Sequence, residues 1–286
     1  MEIKAEFRRK FIQLMSFVIV NREFENFFSG KIYKGDEKYL CAPGLNCYSC
    51  PAATLSCPIG ALQTINGAAG FGFGFYAFGF ILMFGVLFGR LICGFLCPFG
   101  LFQELLAKIP SPKKRLCNPL RYIKYIILAV FVIILPIYGA FANGIGESAF
   151  CEYICPAGTL EAAIPLIFTH SEYRDSLGVL FVLKITVLLT VIIGSVFIYR
   201  FFCKTLCPLG ALYGLLNKIS VYRMFYNARG CVSCGACQSV CPMEINPAKD
   251  ANSPECIRCG KCVDNCNANA LRLSIDLSDS NICYGR

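Results

Sequence analysis

Residues 90–100, Arg90-Leu-Ile-Cys93-Gly-Phe-Leu-Cys97-Pro98-Phe-Gly100, return 110 positions later as Arg200-Phe-Phe-Cys203-Lys-Thr-Leu-Cys207-Pro208-Leu-Gly210. The likeness runs on, with Leu105-Leu106-Ala-Lys108-Ile109 answered by Leu215-Leu216-Asn-Lys218-Ile219. A repeat of this kind marks one structural unit used twice. A fainter echo pairs Cys50-Pro51-Ala52-Ala-Thr54-Leu55 with Cys155-Pro156-Ala157-Gly-Thr159-Leu160. Residues 41–110 and 151–220 therefore read as two halves, each an outer Cys-Pro loop, a helix and an inner C-x3-C-P loop. Both run in the same direction, which relates them by a pseudo-two-fold axis along a membrane normal.

The membrane enters through composition. The chain of 286 residues is 56% hydrophobic and only 16% charged, against about 25% charged in an average soluble domain. Its mean hydropathy is +0.57. No charged residue lies between Lys38 and Arg90, and residues 68–89, 125–146 and 177–199 are each long enough to cross the ~30 Å hydrocarbon core. Pro136 is expected to kink the second of these, and Lys184 alone interrupts the third. An ionisable residue there is either a functional group or one that snorkels to the interface. Residues 11–28 form a further span if Arg22, Glu23 and Glu25 reach the interface; an uncleaved first helix is expected, since no small-residue cleavage site follows. Lys4, Arg8, Arg9 and Lys10, then Lys108, Lys113, Lys114, Arg115 and Arg121, mark two segments as cytoplasmic. Segments 21–64 and 147–176 then face outward, and both termini lie inside. The net charge of +9 is this inside bias and traces no stripe that would follow nucleic-acid phosphates.

Twenty cysteines against one histidine, His170, leave His-based zinc, haem or Ser-His-Asp chemistry without its residues, so the chemistry falls to thiolates, iron and sulfur. From residue 221 the apolar runs stop. Cys231-x2-Cys234-x2-Cys237-x3-Cys241-Pro242 and Cys256-x2-Cys259-x2-Cys262-x3-Cys266 have the dicluster ferredoxin spacing, in which the fourth cysteine of each run serves the other cluster. Cluster one takes Cys231, Cys234, Cys237 and Cys266; cluster two takes Cys256, Cys259, Cys262 and Cys241. Zinc ribbons use two C-x2-C pairs and do not fit. In each C-x3-C-P loop, proline suits the first position of a helix, which sets the thiolates at an electropositive helix start. A cubane needs four ligands, and the repeat brings Cys93, Cys97, Cys203 and Cys207 to one face for a third 4Fe-4S cluster. The alternative, reduced thiols lining a helix turn, does not explain why the pair recurs with its flanks. Six outer cysteines allow three disulfides. The partial repeat points instead to a fourth iron-sulfur centre held by Cys47, Cys50, Cys151 and Cys155, with Cys41 and Cys57 as alternates. Cys117 and Cys283 have no partner motif and read as free thiols.

The two C-x3-C-P motifs, the spans and the dicluster run together resemble the membrane polyferredoxins of the NapH type, quinol dehydrogenase components of periplasmic nitrate reductase systems. NosR-type and CcoG-type proteins are more distant relatives. The resemblance covers nearly the whole chain and departs from the family on the outer face, where six cysteines are added. It implies electron transfer between a quinone pool or a redox partner and another protein.

The expected fold is thus mainly α: a four-helix integral membrane bundle of two related halves over residues 1–220, and a C-terminal α+β dicluster ferredoxin domain over 221–286. The expected role is a membrane-bound iron-sulfur electron-transfer protein of the inner (cytoplasmic) membrane. It would link a soluble cytoplasmic redox protein or oxidoreductase subunit to quinone or to an outer-face acceptor. The alternative is a membrane reductase of a metal ion or a disulfide, with the outer cysteines facing substrate.

Overall fold

The computed structural model describes residues 2–66, 75–144, 146–174 and 177–275. Of the expected span 68–89, residues 68–74 lie outside the described residues, as does Cys283. The described residues are mostly helical, with one small sheet. Helix α1 (Glu2–Val20) buries Arg9, Gln13, Ser16 and Val20, spaced as one helical face, and exposes Phe7, Phe11, Leu14, Val18 and Ile19. Polar side chains inward and apolar ones outward invert the soluble pattern. The helix ends at Val20, before the cluster of Arg22, Glu23 and Glu37 ion pairs, so residues 21–28 do not prolong it as expected.

After α2 (Pro58–Asn66) come α3 (Phe75–Phe88) and two short helices, α4 (Leu91–Phe95) and α5 (Pro98–Leu106), which carry the first C-x3-C-P loop between them. Helix α6 (Asn118–Ala142) is long and apolar enough to cross a membrane, as is α8 (Val179–Phe197); α3 is shorter. The expected disturbance at Pro136 takes the form of a π-helical stretch over Leu128–Ile134. Proline removes one hydrogen bond and crowds the preceding turn, and the widened i→i+5 register relieves both. Between these helices, α7 occupies residues 156–169. Helices α9 (Phe201–Thr205) and α10 (Pro208–Leu216) repeat α4 and α5 in the second half.

The C-terminal part closes on itself through an antiparallel pair, β1 (Tyr222–Tyr226) with β2 (Leu271–Ile275), in register Tyr222↔Ile275 and Tyr226↔Leu271. Met224, Ile245, Cys256, Cys262 and Leu271 form its own small core. The larger core gathers Cys93, Cys97, Phe99, Cys207, Leu209 and Tyr213 with Met243 and Ile257, so the C-terminal part is packed onto the C-x3-C-P loops rather than tethered to them.

Candidate metal centre

Four cysteines start helices in one way: Cys57, Cys97, Cys155 and Cys207 are each followed by proline at the first helical position and by glycine two residues later. Cys97, Cys155 and Cys207 have the extended backbone of an N-cap. At Cys207 the sulfur also takes the capping role, accepting from the N–H of Gly210; the amides of Gly60, Gly100 and Gly158 stand near the other three sulfurs and favour their charged forms. The Gly210 bond measures 3.3 Å. Each sulfur is thereby aimed by otherwise unpaired helix-start amides, which favour a thiolate.

The structure brings Cys93, Cys97, Cys203 and Cys207 together in the larger helical part, all buried. Burial raises the Cys207 thiol well above the ordinary range, and Cys203, Cys93 and Cys97 raise it further by proximity. Burial, then Cys203 and Cys93, pushes Cys97 up to about 12. Such thiols ionise when their charge is shared with a bound metal. The surroundings fit an anionic iron-sulfur group. Gln103 Nε2 donates to Cys203 Sγ at 3.1 Å, and the Leu45 amide and the Arg90 guanidinium stand near Cys97 and Cys93 and favour their charged forms. Among the described residues no three His, Cys, Asp or Glu side chains converge as they would on a single ion. A four-iron cube holds its thiolates on outer corners, farther apart than one ion does.

Two arginines cross between the halves. Arg90 Nη2 donates to the Cys203 carbonyl at 2.9 Å, and Arg200 Nη1 donates to the Cys93 carbonyl at 2.6 Å. The glycines make room for them: a Cβ at Gly100 would stand 3.2 Å from Arg200 Nη2, and one at Gly210 3.2 Å from Arg90 Nη2. Glu104 neutralises Arg200 and also Arg9 of α1, the latter through two 2.7 Å bonds. Its counterpart by the repeat is Gly214, and the C-terminal part fills that space. A Cβ on Gly214 would meet the Pro254 carbonyl at 2.8 Å, and Glu255 binds Arg90 at 2.8 Å and also Lys124. The halves differ likewise at Gly94, which touches Ile257, against Lys204, which binds Glu244. Asn217 Nδ2 donates to the carbonyls of Ser253 and Cys256, both at 2.8 Å. The symmetry is broken where the dicluster part docks.

In that part Cys262 lies beside Cys256, Cys259 and Cys241, and Cys237 beside Cys231 and Cys266, the crossed grouping expected from the spacing. Cys234 is exposed in the loop ahead of Ala236–Ser239. Gly235 and Gly260, at φ +74° and +83°, turn the chain into the two short helices, a conformation that glycine adopts without strain. Cys241 and Cys259 also pack against the core that holds Cys93, Cys97 and Cys207. The set Cys256, Cys259, Cys262 and Cys241 is thus the one adjoining the inner quartet.

The outer cysteines divide. Cys47, Cys57 and Cys151 all lie beside Cys155, whereas Cys50 turns toward Lys38 and the amides of Ala52 and Ala53, and Cys41 adjoins Cys57. The echo of Cys50-Pro51 with Cys155-Pro156 is therefore not structural: residues 51–53 form a turn, and it is Cys57-Pro58 that opens a helix. Cys117 is exposed, and His170 closes on the Phe27 carbonyl.

Residues six places after the capping cysteines went unassigned in the sequence. Gln103 Oε1 accepts from Phe202 N at 3.0 Å while its Nε2 reaches Cys203, and Gln63 does the same for Phe150 N, at 2.9 Å, and Cys151, at 3.2 Å. Glu161 accepts from Cys47 N at 2.9 Å, and the Tyr213 hydroxyl donates to the Pro43 carbonyl at 3.0 Å. The pattern Cys-Pro-x-Gly-x-x-Gln/Glu, shared by three of the four and replaced by Tyr213 in the last, is the available signal. Gln103 positions a thiolate. Gln103→Ala is expected to cost about 1–3 kcal/mol by orphaning the Phe202 amide. It should also lower the midpoint potential of the inner centre, because an N–H donor to sulfur favours the more negative state. Gln103→Glu keeps the acceptor and loses the donor. Redox titration followed by electron paramagnetic resonance should show the lower potential in both variants, with the loss of thermal stability confined to Gln103→Ala.

Comparison with known proteins places the chain among iron-sulfur proteins. Residues 70–117, 125–164 and 180–224 match a 4Fe-4S binding domain family, and residues 223–267 match a 4Fe-4S dicluster domain. Each of the first three segments contains one Cys-x3-Cys-Pro. The uncharacterized protein MJ0750 of Methanocaldococcus jannaschii is 28% identical over 68% of this chain and 76% of its own length. The ferredoxin-type protein NapH of Haemophilus influenzae is 26% identical over 68% and 65%, respectively. The methylamine utilization ferredoxin-type protein MauN of Methylorubrum extorquens is 30% identical over 68% and 63%. No solved structure matches the chain.

Proposed function

This chain belongs to the NapH-type family of 4Fe-4S ferredoxin proteins, and from that membership we propose that it is a multi-pass electron conduit of the cytoplasmic membrane. Electrons pass one at a time between a soluble redox partner at the dicluster part and the quinone pool or an acceptor on the far side. The observation that carries this reading is the continuity of thiolate sites. The second ferredoxin set and the inner quartet share one core, with Ile257 against Gly94 and Asn217 against the Cys256 carbonyl. Bound there, 4Fe-4S clusters supply one-electron carriers. The chain's own residues hold them by Cys231, Cys234, Cys237 and Cys266; by Cys256, Cys259, Cys262 and Cys241; and by Cys93, Cys97, Cys203 and Cys207. Arg90 and Arg200 balance thiolate charge, and the buried walls exclude water.

Four spans complete the reading: α1, the segment ending in α3, α6 and α8. The outward apolar and inward polar faces of α1 support it. So does the basic loop after α5, where Lys113 bonds the Val196 carbonyl at the end of α8 and Arg121 bonds Glu244 of the dicluster part. By the positive-inside rule that end is cytoplasmic. A reporter fused to the C-terminus should be active only in the cytoplasm; activity on the far side would overturn the topology. The outer cysteines, four of the six buried and Cys47 and Cys151 half-buried, do not favour a substrate-facing dithiol. Membrane vesicles given dithionite on the dicluster side should reduce a quinone analogue or a far-side acceptor and leave Cu(II) unreduced. Reduction of Cu(II) without quinone turnover would sink the conduit in favour of a metal reductase.

A further inference from the structure

We propose that Cys47, Cys57, Cys151 and Cys155 hold a fourth iron-sulfur cube, and that residues 43–47 form a common wall between it and the inner centre. The proposal rests on the conduit reading and adds the next carrier to it.

The ligand set follows from position. Cys57 and Cys155 are, among the described residues, the two remaining cysteines followed by a helix-opening proline, with the amides of Gly60 and Gly158 near their sulfurs as those of Gly100 and Gly210 are in the inner quartet. Gln63 repeats the double contact of Gln103, its Nε2 on Cys151 as that of Gln103 is on Cys203. Cys47 takes the place of Cys93. Its amide is held by Glu161, and a Cβ on Gly158 would stand 3.3 Å from its sulfur, so the glycine is the cradle for the fourth ligand. The site is built for negative charge that the thiols alone do not carry. Lys38 acts on Cys47 and Cys50, and Lys184 acts on Cys151. Lys184 shares the inward face of α8 with the buried Leu188, Val191 and Ser195, so it turns to this site rather than to lipid. The Thr159 hydroxyl and the Asn46 carbonyl oxygen beside the site are buried without a partner.

The wall is a short stretch of extended chain. The Leu45 amide stands near Cys97 and the next amide, that of Asn46, near Cys57, so adjacent residues border the two quartets. Tyr213 holds this stretch at Pro43 and Glu161 holds it at Cys47. A Cβ on Gly44 would fall 2.8 Å from Cys97 Cα, which allows only glycine there. Along α1, Ser16 bonds Leu96 of the inner loop and Val20 bonds Thr54 of the outer loop, just over one turn or about 6 Å apart. The outer loop therefore folds down among the helices, and the two sites are neighbours instead of standing on opposite faces of a ~30 Å core.

Iron and acid-labile sulfide are to be counted in anaerobically purified full-length protein and in four variants. The expected result is about sixteen irons per chain, with roughly four lost in Cys57→Ala and again in Cys151→Ala, and none in Cys50→Ala. In the dithionite-reduced protein, Cys57→Ala should also narrow the inner centre's resonance, leaving only its coupling to the adjoining dicluster set. A wild-type count of about twelve, with four lost only in Cys203→Ala, overturns the outer centre and leaves the conduit reading standing. Loss in Cys50→Ala but not in Cys57→Ala overturns the ligand set. A Cys203→Ala variant that keeps all its iron while Cys57→Ala loses four removes the inner centre from the conduit reading and sustains this one. The wild-type count needs no variant to fold.

Discussion

Cys93→Ala and Cys203→Ala are each expected to remove the same roughly four irons, although the two residues are 110 positions apart. Either change leaves three thiolates and one corner of the cube without a ligand. The remaining sulfurs are buried against one another, so the site loses affinity as a unit instead of keeping a partial centre. Electron transfer from dithionite to a far-side acceptor in vesicles should fall to background in both variants, while the visible absorbance of the dicluster part persists. That part has its own core, so its clusters report on whether the variant is folded. Loss of iron in one variant only would mean that the two C-x3-C-P loops serve separate sites.

The largest stability losses are expected at the two carboxylates that neutralise the crossing arginines. Burial pushes the Glu104 carboxyl up, but Arg200 and Arg9 outweigh it and hold it at about 2. Glu104→Ala leaves both guanidiniums in the interior without a counter-charge, a change that costs about 3–5 kcal/mol. Glu255→Ala does the same to Arg90 and Lys124, both with fully buried side chains. The two should fail differently. Glu104 joins α1 to both halves, so its loss lowers the thermal midpoint of the whole protein. Glu255 comes from the dicluster part, so its loss should open the linker near Ser220 to protease before the helices melt, and should slow electron entry to the inner centre. An equal protease pattern in the two variants would show that Glu255 does not dock the dicluster part. Because the Glu104 carboxyl is held low, its stabilisation is complete above the unfolded value near 4.5 and is lost as pH falls toward 2.

Much of the centre was legible in the residues because it is local. The spacing Cys231-x2-Cys234-x2-Cys237 confines three sulfurs to one turn of chain, and the short sheet then closes the expected crossed pairing with Cys266. The inner quartet was legible because its flanks repeat. Arg90 and Arg200 stood in the same repeat and carried no assignment, since a sequence shows that two arginines recur but not that each crosses to the other half. Helix α1 was displaced for a related reason. Hydropathy alone begins the span at residue 11, yet the inward face of the helix is polar, and Arg9 is helical and buried because Glu104 comes to meet it.

The sequence by itself determined the repeated flanks, the apolar helices and the dicluster spacing of the cysteines, because each depends on spacing within a few turns of chain or on a repeat that is visible along it. Only the tertiary structure decided which outer cysteine joins Cys151 and Cys155. Cys50-Pro51 and Cys57-Pro58 look alike as dipeptides, but Cys57-Pro58 is followed by glycine and starts a helix, and Gln63 on that helix reaches the other half. The depth of the outer loop was decided in the same way. Charge counting sets which end of a helix faces the cytoplasm, but it cannot see that Gly44 leaves room for the chain to lie against Cys97, where backbone amides and buried sulfurs satisfy one another.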